Sequence, residues 1–154
     1  MEVVIIMGSK SDFKWSEEIK DALQRLGIKS TLRVSSAHKV PLRVLDIIKE
    51  YEKKDVVFVT VAGKSNALSG FVDANTTKPV IACPPYSDKF SGVDVFSSLR
   101  MPRGVSPLLV LEPEQAALAC AKIWAIKDRK IKQRVEEYQR MLKEEIKQAD
   151  REVQ

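Results

Sequence analysis

Five times along the chain an apolar or β-branched run is followed by residues at helical spacing, and this alternation leaves few folds open. The runs are Val3–Met7, Ser30–Val34, Val56–Val61, Pro79–Cys83 and Leu108–Leu111. Val3–Met7 and Val56–Val61 are almost continuously apolar, as expected of strands covered on both faces in a parallel sheet. Trp15, Ile19, Ala22, Leu23 and Leu26 recur at helical spacing after the first run, with Ser11 or Asp12 placed to cap that helix and Gly27 to end it. Leu42, Leu45, Ile48 and Tyr51 define a second helix from Pro41 to about Lys53, Ala67–Ala74 a short third, and Glu114–Ile126 an alanine-rich fourth. Residues 85–92 read as an irregular loop and 94–99 as a helical turn or two. Strands alternating with helices in this way predict an α/β fold built on a doubly wound parallel sheet.

Both the flavodoxin-like and Rossmann-like forms of that sheet satisfy the pattern. A chain of 154 residues supports one such domain with a proper core. Residues 1–126 account for the α/β unit. From Lys127 the composition changes, with nine basic and seven acidic residues among the last 28 and Ile131, Val135, Tyr138, Leu142, Ile146, Ala149 and Val153 spaced by three or four. Residues 127–154 are therefore expected to form one long amphipathic helix belonging to the same domain unit. A five-strand domain does not need it, so its apolar stripe is expected to bury against a neighbouring subunit; folding back on its own domain is the alternative.

No apolar run is long enough to cross a membrane, and Met1-Glu2 leads directly into the first strand without a basic signal-peptide region, so a cytoplasmic location is expected. Cys83 and Cys120 have neither the number nor the spacing of a disulfide framework or zinc site and are read as reduced. A net charge of +5 raises the question of nucleic acid, but the basic residues are interleaved with acidic ones and lack an aromatic stacking pattern. A phosphorylated metabolite drawn in by a modest positive potential fits better, with no nucleic-acid or membrane partner expected.

The strand-to-helix loops are the chemically dense parts. Loops after parallel strands emerge on one edge of the sheet, so Gly8-Ser9-Lys10-Ser11-Asp12, Ser35-Ser36-Ala37-His38-Lys39 and Ala62-Gly63-Lys64-Ser65-Asn66 are expected to face one ligand. His38 is the sole histidine and hence the obvious proton carrier near neutral pH. Serine hydroxyls, glycine amides, helix N-termini and a lysine suit a phosphate, while an aspartate at a helix start can accept hydrogen bonds from sugar hydroxyls. Each feature also has a purely structural explanation: Ser11 and Asp12 as caps, Gly8 and Gly63 as turn formers, Lys64 as a solvated charge. The expected site comprises Ser9, Ser11, Asp12, Ser36, Ala37, Lys39, Gly63, Lys64, Ser65 and Asn66 for binding, with His38 for catalysis.

Taken in order, Gly8-Ser9-Lys10-Ser11-Asp12, Ser36-Ala37-His38-Lys39 and Asp94-Val95-Phe96-Ser97-Ser98-Leu99-Arg100-Met101-Pro102-Arg103-Gly104 resemble the purine-biosynthesis carboxylases that act on aminoimidazole ribonucleotide. The resemblance covers most of residues 3–126. It implies a flavodoxin-like three-layer α/β/α fold, an intertwined homo-oligomer (octamer or tetramer), and no metal or organic cofactor. It further implies that Ser9, Asp12, Ser36, Lys39, Gly63 and Ser65 bind the ribonucleotide and that His38 handles the proton.

That family has two classes. The bacterial mutases, which move carbon dioxide from the exocyclic amine of the N-carboxylated substrate to the ring, typically have arginine after the histidine and a glycine- and alanine-rich third loop followed by a second histidine. Here Lys39 stands in place of the arginine and the third loop reads Gly63-Lys64-Ser65-Asn66-Ala67-Leu68; with Cys83-Pro84-Pro85 this is similar to the carbon dioxide-using class and to the carboxylase domain of the animal bifunctional enzyme. Two unrelated alternatives fit less well. A flavodoxin-like flavin-binding module would have a phosphate loop richer in Thr and Gly, and a signalling receiver would have acidic residues after strand one and a phosphorylatable aspartate ending strand three, where Met7-Gly8 and Ala62-Gly63 stand.

Overall fold

The computed structural model describes residues 1–154. Its elements are β1 (Glu2–Met7), α1 (Phe13–Arg25), β2 (Lys29–Val34), α2 (Pro41–Tyr51), β3 (Val56–Val61), α3 (Ala67–Asp73), β4 (Val80–Ala82), β5 (Leu108–Leu109), α4 (Pro113–Ala125) and α5 (Arg129–Val153). A 3₁₀ turn at Lys10–Asp12 precedes α1, and a 3₁₀ segment at Lys89–Ser98, broken at Phe90–Gly92, lies between β4 and β5. The strands form one sheet in the order β2-β1-β3-β4-β5, every neighbouring pair parallel. This is the flavodoxin-like order, which decides between the two forms the sequence left open.

Alternation along the central strands builds the three layers. Val3, Ile5 and Met7 of β1 and Val57, Val59 and Val61 of β3 face α1, α4 and the start of α5, whereas Val4, Ile6, Val56 and Phe58 face α2 and α3. Each of these ten side chains is essentially inaccessible, a burial that contributes roughly 1.5–3 kcal/mol per residue before the entropy of ordering is subtracted. The end of α1 is fixed by Gly27 at φ 70°, with Gly27 N–H donating to the Gln24 carbonyl and Ile28 N–H to the Leu23 carbonyl, both at 2.9 Å. This paired bond pattern is a Schellman motif, which requires a left-handed residue where glycine is least strained. The strand β5 is shorter than expected, pairing only through Leu108 and Leu109.

Two expected faces differ from those observed. In α2 the buried residues are Val44, Ile47, Ile48 and Tyr51, while Leu42 is 74% exposed. A strict three-residue step lags a full helical turn by about 60°, so Leu42 ends up on the side opposite Tyr51. In α5 the first turns do not await a partner: Ile131 and Val135 are buried and Tyr138 half-buried in the cluster formed with α1 and α4. Arg134 reinforces the contact, its Nη1 donating to the Leu26 carbonyl at 3.2 Å across Gly27, where a Cβ would collide with the guanidinium. Beyond Tyr138 the stripe is uncovered, with Met141, Leu142, Ile146 and Val153 all exposed. No helix is long and apolar enough to cross a membrane.

Candidate active site

The order β2-β1-β3 means that the chain leaves β1 toward one side of the sheet and β3 toward the other, so a crevice opens between their carboxyl ends. Its floor is tight: Gly8 N–H donates to the Val61 carbonyl at 2.9 Å, and a Cβ on Gly8 would come within 3.3 Å of the Ala62 Cβ. The glycine therefore lets two loops approach. Above it is an open cavity of about 450 Å³, within the size range of small-molecule sites. All eleven residues expected from the sequence line it: Ser9, Ser11, Asp12, Ser36, Ala37, His38, Lys39, Gly63, Lys64, Ser65 and Asn66.

The first loop is organised by short-range bonds. Ser9 Oγ accepts from Ser11 N–H at 3.3 Å and from Ser11 Oγ at 3.0 Å, so Ser9 caps the 3₁₀ turn and Asp12 makes no side-chain cap bond to α1. Asp12 is thereby left facing the cavity. Burial pushes its carboxyl above the ordinary value, against the opposing pull of the Ser9 backbone, the Ser11 hydroxyl and the Lys64 charge. The second loop is also locally tied, with Val40 N–H donating to the Ser36 carbonyl at 2.9 Å and Lys39 N–H to Ser36 Oγ at 3.3 Å. His38 and Lys39 project from this turn and are exposed.

In the third loop Ser65 Oγ lies 3.4 Å from His38 Nε2, joining the second and third loops across the cavity. Asn66 has a different use from the one expected of it. It is 3% exposed; its Oδ1 accepts from Ser69 N–H at 3.4 Å as the N-cap of α3, and its Nδ2 donates to Ser98 Oγ at 2.6 Å. The amide borders the cavity with its hydrogen-bonding groups already engaged by the protein.

A fourth wall was missed in the sequence. Tyr86, Ser87, Asp88 and Lys89, following β4, and Asp94 from the 3₁₀ segment line the same cavity. The available signal was topological: a loop after a fourth parallel strand must emerge on the same edge as the other three. Tyr86 anchors this wall, stacking edge-on against Trp15 with ring centroids 5.3 Å apart and donating its hydroxyl to Glu112. That carboxylate raises the Tyr86 pKa above its ordinary value. Behind the wall, Cys83 is buried and its thiol pushed up to about 12, which leaves it protonated and a poor nucleophile. Both cysteines are unpaired, and no group of three or more His, Cys, Asp or Glu side chains is placed to hold a metal ion.

Comparison with known proteins identifies the family of the chain. Residues 2–145 match the family model described as AIR carboxylase. The chain is 63% identical over 153 residues to a phosphoribosylaminoimidazole carboxylase of Archaeoglobus fulgidus, covering 99% of this chain and 85% of the relative. It is 49% identical over 138 residues to the phosphoribosylaminoimidazole carboxylase of Treponema denticola, covering 88% and 87% respectively. The crystal structure of Treponema denticola PurE superimposes with a TM-score of 0.97 at 45% identity, covering 99% of this chain and 98% of that one.

Proposed function

The chain belongs to the AIR carboxylase family, an enzyme family of purine biosynthesis, and we propose that it joins carbon dioxide directly to aminoimidazole ribonucleotide with His38 carrying the proton. Carboxylation of that ribonucleotide, giving carboxyaminoimidazole ribonucleotide, is its activity. The observation that carries the proton assignment is the sole histidine in the cavity at the switch point between β1 and β3, its Nε2 facing Ser65.

The chemistry needs little beyond position and a base. The amino group makes the adjacent ring carbon enamine-like and nucleophilic, so that carbon attacks carbon dioxide and becomes tetrahedral, bearing both a proton and the new carboxylate. His38 removes the proton, and the C–H electron pair restores the aromatic ring. In reverse it protonates the carbon. Lys39 is assigned to the substrate phosphate and Asp12 to ribose hydroxyls, with Ser9, Ser11, Ser36, Ala37, Gly63, Lys64 and Ser65 completing the cradle. Holding a small, weakly binding gas against the ring is the remaining task, and it is one of orientation.

The third loop favours direct use of carbon dioxide. Lys64 and Ser65 place polar side chains in the cavity wall where the mutases have small apolar residues followed by a second histidine. Two parallel assays test this, one supplying aminoimidazole ribonucleotide with bicarbonate and no ATP, the other the N-carboxylated isomer with carbon dioxide stripped out. Product is expected from the first. Product from the second alone would assign the enzyme to the mutase class.

The uncovered distal half of α5 is assigned to a neighbouring subunit of a homo-oligomer, because four exposed apolar side chains follow a half that is already buried. Truncation after Gln139 should lower the mass measured by light scattering while keeping the Ile131 and Val135 contacts. An unchanged mass would remove the distal helix from assembly.

A further inference from the structure

The run Asp94–Gly104 carries part of the family resemblance, yet the chemistry above gives it no role. Its first turns are tied to the third loop. Lys64 at φ 58° and Asn66 at φ 28° are non-glycine residues with left-handed backbone, a conformation that persists only where surrounding structure holds it. Three side chains of the 3₁₀ segment do the holding. Asp94 Oδ2 accepts from Lys64 N–H at 3.2 Å, Ser97 Oγ donates to the Lys64 carbonyl at 2.9 Å, and Ser98 Oγ accepts from Asn66 Nδ2 at 2.6 Å. Both flanks of Ser65 are therefore clamped from about thirty residues away, and Ser65 Oγ is the group that meets His38 Nε2.

We infer that Asp94, Ser97 and Ser98 are positioning residues that hold Ser65 against the His38 imidazole and so set the orientation of the ring for proton transfer. The role goes beyond starting α3. Asn66 and Ser98, both 3% exposed, suffice for that cap. Lys64 lies outside the helix and is exposed, so water could satisfy its N–H and carbonyl equally well; engaging both with Asp94 and Ser97 fixes a dihedral. The residue so fixed immediately precedes the one that touches the base. The inference rests on the acid–base role proposed for His38.

Because His38 is the one histidine, its ring-nitrogen resonances in the ¹⁵N-labelled full chain report on it directly, at fixed pH and without substrate. Asp94→Ala and Ser97→Ala should each move those resonances in the same sense as Ser65→Ala, and the Ser65→Ala/Asp94→Ala double variant should add nothing to Ser65→Ala alone. In turnover, kcat should fall on the order of tenfold and by a larger factor than KM rises, since the orientation of the base is lost while Lys64 and Ser65 still border the bound substrate. Asp94→Asn keeps an acceptor for the Lys64 amide without the charge and should recover most of both effects. Unmoved resonances in folded Asp94→Ala or Ser97→Ala, additive shifts in the double variant, or an Asp94→Asn as defective as Asp94→Ala would overturn the inference. Should Asp94→Ala not fold, Ser97→Ala carries the same measurements through a half-buried hydroxyl and a double variant with Ser65→Ala. A wild-type chain inactive on aminoimidazole ribonucleotide would refute the carboxylase reading and leave the resonance coupling to be judged by itself.

Discussion

The second and third loops meet at one hydrogen bond, between His38 and Ser65, but only the third is held there by side chains from a distant part of the chain. The second loop closes on itself: Ser36 accepts from Lys39 N–H through its hydroxyl and from Val40 N–H through its carbonyl, and none of residues 35–40 has positive φ. The third loop has one turn bond of its own, from Asn66 N–H to the Gly63 carbonyl at 3.2 Å, but it bends through Lys64 and Asn66 in left-handed conformations and is clamped there by Asp94, Ser97 and Ser98. A conformation that local bonds favour can present side chains without drawing on the rest of the fold. One that tertiary contacts impose makes site geometry and stability a shared property.

The sharpest expected consequence lies in the second loop. His38→Asn should lose roughly a hundredfold or more in turnover with unchanged melting temperature, because the side chain is exposed and the turn does not use it. Asn retains some hydrogen bonding but cannot shuttle the proton. Near-normal turnover in the folded variant would leave no histidine for the step and refute the mechanism. Lys39→Met should weaken ribonucleotide binding by about 2 kcal/mol, roughly thirtyfold in Kd, if the bound phosphate partly desolvates the charge pair. Calorimetry at two salt concentrations checks it, since loss of a charge contact must flatten the salt dependence.

In the third loop the order of effects reverses. Asn66→Ala removes the cap of α3 and leaves the buried Ser98 hydroxyl without its partner, a loss of about 1–2 kcal/mol or a melting temperature lower by roughly 2–8 °C. Activity should fall with it. A variant that keeps full stability while losing activity would mean that the third loop, like the second, is held by its own local bonds.

The same contrast explains what was readable in the sequence. Chemistry carried by local patterns was legible: the strand runs, the three loops, and His38 as the base candidate all follow from residues adjacent in the chain. The clamp was not, because nothing within the run Lys64-Ser65-Asn66 signals that Asp94, thirty residues on, will accept the Lys64 amide. Tyr86 and its neighbours were passed over for a related reason, since Pro84-Pro85 marks an irregular segment and says nothing of the Trp15 and Glu112 contacts that anchor it. In α5, periodicity identified the apolar stripe correctly but could not divide it between Ile131 and Val135, buried on this domain, and Ile146 and Val153, exposed beyond it. Periodicity identifies a face and leaves its partner undetermined.

Asp12 in the first loop extends the comparison to a case where site and stability oppose one another, and it carries the smallest expected effect. Burial raises the folded-state pKa of its carboxyl, so between the ordinary carboxylate value and that raised value the folded chain binds more protons than the unfolded one. Stability therefore falls as pH rises through this interval, and the full cost of the buried charge is present at neutral pH. Asn at this position keeps the carbonyl that accepts from Ser11 without the charge. Asp12→Asn should accordingly melt slightly higher than wild type near pH 7, with the gap closing as pH falls into the carboxylate range, where Asp12 itself becomes neutral. It should also bind the ribonucleotide more weakly, because a neutral amide is a poorer acceptor for ribose hydroxyls than a carboxylate. Thermal melts at both pH values, paired with calorimetry at neutral pH, separate the two effects. A lower melting temperature at pH 7 would mean that the hydrogen bonds of the carboxylate outweigh its desolvation, and the first loop would then be held by its functional group instead of strained by it.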